Sequence, residues 1–258
     1  EDCEARLSEY AEKETLLYDL SNRPASFDFI TCLATAIALG CKHVRFVYGQ
    51  GWKPKNYTIA QAEERWHSIV EPAAALYGLT YSIGERYGIE VNHMLRAAIE
   101  IYKHTGRIGK INTPCVAKDY VTLTLRRSLN PERDSNEDES RKWAATCDRK
   151  VIIIPDGEET PLDLHDRMKL YAGAYLNIMV INGPATLCFH SDAPYIIMRT
   201  IGCERSGSTS PAFSAKNGIT LGFQFPWAGE RQKMSYLTDT AENLTYEYRQ
   251  MCDQRKAA

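Results

Sequence analysis

Several chemistries are missing from this chain at the outset. No apolar run reaches the roughly 20 residues that a membrane-spanning helix needs, and the closest stretch, Thr31 to Gly40, falls well short. There is no G-x-x-x-x-G-K-[ST] loop, no G-x-G-x-x-G after the first strand, no G-x-S-x-G elbow and no H-E-x-x-H. Kinases, NAD-dependent dehydrogenases, α/β-hydrolases and zinc peptidases therefore lose their signatures. The eight cysteines form no C-x-x-C pair and no Cys/His set with zinc spacing, so no metal site is expected. Charge of one sign is also lacking. A formal net charge of −2 gives no general attraction to nucleic acid or anionic membrane, so any anion site must be local. The acidic start, EDCEARLSEYAEKE, is the opposite of a signal peptide's basic segment. Cys32, Cys41, Cys147 and Cys188 sit in apolar stretches as small hydrophobes. The expectation is a reduced, cytoplasmic protein with no integral membrane segment and no nucleic-acid partner.

What is present reads as an α/β chain. Its 258 residues, 44% hydrophobic and 25% charged, suffice for one large domain or two of ordinary size. Strands at 16–20, 43–48 and 79–83 alternate with helices at 27–39 and 58–77, the second one kinked or split by Pro72. Ser26 is expected to cap the first helix and Gly40 to end it. A helix at 91–104 follows, then a stretch at 105–118 with Gly106, Gly109 and Pro114 and little periodicity, taken as the linker. The alternation restarts with strands at 120–125, 151–155, 177–181, 195–198 and 220–224 and helices at 136–147, 162–174, from Pro184 and from 240 to 251. Uninterrupted runs such as VIII mark parallel sheets covered on both faces. The fold class is thus α/β with two Rossmann-like halves, residues 1–104 on the acceptor side and 119–258 on the donor side. The last helix is expected to pack back on the first half.

The candidate sites lie where strands end. Tyr120–Leu125 is a buried strand that runs into Arg126 and Arg127, then a turn with Arg133, Ser135 and Asn136, then a helix. Ligands of open α/β sheets sit outside the carboxyl ends of the strands, and arginine presents the planar fork that phosphate oxygens accept. Ser135 can cap the helix with Asp138 completing a capping box. The plainer alternative pairs these arginines with Glu132, Glu137 or Asp138. Ile181-Asn182-Gly183-Pro184-Ala185-Thr186 is a strand entering a turn and a helix start, whose amides suit a phosphate or ribose. In a doubly wound sheet this turn should stand beside Arg126. Asp19, closing the first strand, and Asp28 offer carboxylates, Asp19 being preferred as a general base. Gln224, Phe225 and Trp227 are candidates for stacking on a sugar or base, with packing the commoner role of such residues. His165 and His190 read as structural.

The strand end Thr124-Leu125-Arg126-Arg127 resembles the His-x-Arg-Arg signature of the α1,6-fucosyltransferase-like and protein O-fucosyltransferase-like enzymes, which are GT-B glycosyltransferases. The histidine is absent here, and Leu129 stands where the family has an acid. The stretch from Leu170 to Met198 is similar to their later donor-site segment. The resemblance implies metal-independent transfer from a nucleotide-diphosphate sugar, a GDP-sugar first, to a glycan or other hydroxyl acceptor, with no cofactor. Arg126 or Arg127 would neutralise the departing diphosphate, Asn182 to Thr186 would hold phosphate or ribose, and Asp19 would deprotonate the acceptor. Two alternatives stand beside it: a two-lobed binding module for a phosphorylated metabolite, and another nucleotide-sugar enzyme such as an epimerase.

Overall fold

A computed structural model describes residues 14–23, 25–47, 58–84, 88–91, 95–116, 118–127, 131–156, 163–201 and 210–257. The chain divides into two compact units, residues 1–112 with 163–165, and residues 113–162 with 166–258. Each holds a wholly parallel sheet, and the α/β class follows directly.

The first unit runs β1 (Thr15–Asp19), α1 (Asp28–Ala38), β2 (His43–Val47), α2 (Ile59–Arg65), α3 (Glu71–Leu76), β3 (Thr80–Ile83), β4 (Ile89–Glu90) and α4 (Leu95–Thr105). Its strands lie in the order β3-β2-β1-β4. Leu16 and Tyr18 of β1, Phe29 and Leu33 of α1 and Phe46 of β2 are fully buried, and Tyr18, Phe29 and Phe46 pack edge to face or tilted. Each such burial contributes about 1.5–3 kcal/mol. Thr58 and Gln61 form the capping box of α2. Ahead of Pro72 the helix widens into a single π turn, Trp66–Val70, before continuing as α3, which is how the proline without an N–H is accommodated. Gly40, at φ +90°, closes α1 as expected. The amino half of the stretch taken as the linker packs on the first unit. Gly109 donates its N–H to Ala34 O at 2.8 Å, a Cβ there would meet Ile37 Cβ at 2.8 Å, and Ile111 is buried. Residues up to 112 thus pack on the first unit, because a glycine lets the backbone press against α1.

The second unit runs β5 (Tyr120–Arg126), α5 (Glu137–Thr146), β6 (Lys150–Asp156), α6 (Leu164–Gly173), β7 (Leu176–Val180), α7 (Ala185–Phe189), β8 (Tyr195–Met198), α8 (Pro211–Lys216), β9 (Gln232–Met234) and α9 (Ala241–Ala257). The order is β6-β5-β7-β8-β9, so the chain leaves β5 toward one side, returns, and continues on the other at β7. Val121, Leu123 and Leu125 of β5 pack with Trp143 of α5 and Leu244, Tyr248 and Met251 of α9. The final helix thus spends these apolar residues on the core of its own unit. The expected strand at 220–224 is absent. Gly222 sits at φ +83°, and the side chain of Gln224 does a strand's work instead, accepting from Met234 N at 2.7 Å and donating to Met234 O at 2.9 Å. The edge strand is β9. Among the described residues no helix is long and apolar enough to cross a membrane.

Candidate functional site

The reversal of strand order between β5 and β7 creates a crevice at their carboxyl ends, where doubly wound sheets take ligands. Arg126 stands at that point. It is the last residue of a strand whose five preceding residues are buried, and its Nη1 donates to Ile181 O, just past β7, at 2.5 Å. This bond ties the guanidinium to the backbone at the end of β7. The backbone is clasped as well: Arg126 N donates to Ser135 Oγ at 2.9 Å, and Ser135 N donates to Arg126 O at 3.1 Å. The two turns that the sequence singles out are thereby joined through one side chain.

Arg127 faces the other way. It is exposed and makes a forked pair with Glu137, at 2.9 and 2.7 Å from Nη2 and 3.1 Å from Nε. Hydrogen bonds from Arg127 and then from Arg141 hold the Glu137 carboxyl below its usual range. This is the plainer alternative, realised for one arginine of the two. Arg133 lies in a 3-10 turn, half-buried. Ser135 is not the helix cap. Asn136 is, accepting from Glu139 N at 3.4 Å, since Ser135 Oγ is engaged by Arg126. The first turn of α5 carries Glu137, Asp138 and Glu139, which already complement the helix dipole.

The Asn182–Thr186 turn is compact. Asn182 Oδ1 accepts from Ala185 N at 2.9 Å, Gly183 O accepts from Thr186 N and Oγ1 at 3.1 and 2.7 Å, and Leu187 N donates to Pro184 O. Pro184 is the cap residue rather than the first helical one. The amides of Ala185, Thr186 and Leu187 are engaged within the turn, and the Ile181 carbonyl just before it orients Arg126.

Gln224 is committed to β9. Phe225 and Trp227 are buried and stack at 5.0 Å, with Phe189 and His190 against them at 4.8 and 5.6 Å, and Trp227 Nε1 donates to Phe189 O at 2.8 Å. These rings form packing rather than a sugar-stacking platform, because Phe225 and Trp227 are buried. His190 is structural as expected, burial pushing its imidazole down to about 3.

In the first unit Asp19 ends β1 and is 1% exposed. Its Oδ1 accepts from Ser21 N at 2.9 Å and Ser21 Oγ at 2.5 Å, the geometry of an Asx turn. Asp28 starts α1, where its N–H and Ser26 Oγ lie 3.3 Å apart. Arg23 spans this unit's own reversal, between β1 and β4. It donates to Val91 O, lies 3.8 Å from Glu90 Oε2 and covers the Tyr18 ring at 5.5 Å.

Sequence reasoning passed over two groups at the same edge as Arg126. Arg199 follows β8 at φ +49°, donates to Asp134 O and lies 3.6 Å from Asp239 Oδ1. Asp239, 4% exposed, also accepts from Asn136 N at 2.6 Å. The pair ties the β5–α5 loop to the end of β8. The signal was present, since Arg199 closes the apolar run YIIM as Arg126 closes YVTLTL. A narrow crevice beside them is lined by Thr124, Ser135, Ser140, Met198 and Asp239, among others. Among the described residues no group of three or more His, Cys, Asp or Glu is placed to hold a metal ion.

Neither a family model nor a curated protein matches this chain. Among solved structures it is similar to a bacterial iron-containing dodecameric glycosyltransferase, TibC, from enterotoxigenic E. coli H10407. The TM-score is 0.46 and the identity 13%, over 84% of this chain and 62% of that one. A likeness this loose carries no weight for activity.

Proposed function

We propose that the second unit binds a nucleotide-diphosphate sugar at the crevice between β5 and β7, and that the protein transfers the sugar to an acceptor hydroxyl without a metal. The observation that supports this most is Arg126: a guanidinium delivered by a buried parallel strand to a reversal of strand order and held there by Ile181 O at 2.5 Å. A cation fixed before the reaction begins stabilises charge as it develops on a departing diphosphate, with no reorganisation at the moment of bond breaking. Arg127, paired with Glu137, is left out of this role, and Arg126 carries it alone in β5.

Asp19 is the carboxylate that the sequence favours as proton acceptor, but its burial and its two bonds from Ser21 weigh toward holding a turn. That observation favours the second reading, a module that binds the same phosphorylated ligand without chemistry. Thermal melting against GDP, UDP, ADP, CMP and their sugars, with EDTA present, separates the possibilities. A ligand at 100 times its dissociation constant stabilises by about 2.7 kcal/mol. Stabilisation by one nucleoside diphosphate, followed by sugar release to an acceptor in EDTA, supports transfer. Stabilisation without turnover leaves the module, and no stabilisation by any of them removes both.

A further inference from the structure

In the first unit, strand β2 alternates between an apolar face and a polar one. Val44 and Phe46 are buried, with Phe46 against Phe29 of α1 and against Trp66. Arg45, between them, points to the opposite face of the sheet. Its partners in register are Leu17 of β1 and Ser82 of β3. Leu17 is apolar, and the Ser82 hydroxyl is engaged by His43. The His43 ring spans β3, with Nε2 at 2.7 Å from Ser82 Oγ and Nδ1 at 2.7 Å from Thr80 Oγ1. Arg45 is half-buried, and its Nε is sealed from solvent with no hydrogen-bond partner.

That sets it apart. Arg23, Arg126, Arg149, Arg199 and Arg231 are half-buried too, and each donates to a carbonyl or to a tyrosine hydroxyl. Among the described residues Arg45 is the half-buried arginine with no bond, ion pair or ring against it. An arginine stays charged and carries five donors, and a sealed donor left unpaired is costly. The place of its guanidinium is also prepared. A Cβ on Gly84 would collide with Arg45 Nη1. Gly84 does not have a positive φ, so its backbone does not call for glycine; the space does. Gly84 directly follows β3 and donates its N–H to Phe46 O at 3.1 Å. The guanidinium therefore lies over the carboxyl edge of the first sheet, where open α/β sheets take ligands.

We infer that Arg45 is the anion-binding residue of the first unit, taking the carboxylate or phosphate of a small acidic molecule at the carboxyl ends of β2 and β3. Its terminal nitrogens present the fork that two oxygens of such a group accept. Gly84 supplies the room in which that fork lies. The inference does not rest on the function proposed above, which concerns the second unit.

The test is two-dimensional NMR of the arginine Nε–H groups of the full chain. It is titrated with glucose 6-phosphate, glucuronate and glucose at constant ionic strength, and the Arg45 signal is assigned by its loss in Arg45→Gln. That signal is expected to move saturably with glucose 6-phosphate, glucuronate or both, and to stay in place with glucose. Which anion acts tells phosphate from carboxylate. Calorimetric titration of that anion should show binding at least about tenfold weaker in Arg45→Gln, the loss of a charge-assisted bond. Gly84→Ala should weaken it as well, because the new Cβ pushes the guanidinium aside while the charge stays in the chain. An Arg45 signal that moves with neither anion, or equally with glucose, would overturn the inference. So would an affinity unchanged in Arg45→Gln. If Arg45→Gln does not melt cooperatively, Gly84→Ala decides by the same ratio. No nucleotide enters this titration, so its failure and a failure of nucleotide binding are read separately.

Discussion

Arg126 and Arg127 are the same side chain one residue apart, and strand alternation sends them to opposite surroundings. Arg126 anchors on Ile181 O, while Arg127 meets Glu137 in solvent. An exposed ion pair is worth at most about 1 kcal/mol. Arg127→Ala should therefore cost less than that in denaturant unfolding and leave nucleotide binding unchanged. His190 makes a different prediction. Folded, it titrates near 3; unfolded, near 6.5. Between these values the unfolded chain binds the extra proton, so stability is full above about pH 6.5 and falls toward pH 3, by up to about 1.4 kcal/mol per pH unit. His190→Phe should flatten that part of the urea midpoint's pH dependence, and an unaltered slope would contradict it. The sequence showed Arg126 as an arginine ending an apolar strand. It did not show which neighbour each arginine would meet, since Glu137 and Ile181 come from two other segments. The Ser135 cap failed for the same reason: a hydroxyl one residue early found a better partner in Arg126 N.

Elements with a long period were legible, and elements without one were not. Helices α1, α5 and α6 and strands β5 to β8 fall within a few residues of their expected places, because several turns of amphipathic pattern or a run of β-branched residues determine them. Strand β4 has two residues and β9 three, too few for any period. Strand β9 exists through groups distant in sequence, Gln224 on its backbone and Glu247 at 2.6 Å from Lys233. Gln224→Ala should leave Met234 N and O unsatisfied at a cost of about 1–3 kcal/mol, with nucleotide binding retained; lost binding in a folded variant would return Gln224 to the ligand. Gly109→Ala should destabilise the first unit by about 1–3 kcal/mol, the usual cost of overpacking, since its Cβ would meet Ala34 O at 2.9 Å. Such a close approach is invisible in a segment that reads as turn-rich linker.

At the scale of the molecule, two parallel sheets with separate cores were foreseeable from two successive alternations of strand and helix. The place where the second sheet reverses was not, because strand order depends on how crossovers wind rather than on local pattern. That order is what gives Arg126 its meaning. The same arrangement recurs in the first unit, where Arg23 bridges its reversal to Val91 O, so an arginine spanning the reversal is also a way to hold a sheet together. The two roles are separated by binding. The most direct measurement is calorimetric titration of nucleoside diphosphates, GDP first and in EDTA, into the wild type, Arg126→Ala and Arg127→Ala. One diphosphate is expected to bind the wild type and Arg127→Ala equally, and to bind a folded Arg126→Ala at least about tenfold more weakly. Equal binding by Arg126→Ala, or no binding by the wild type, would contradict a donor site at the junction of β5 and β7.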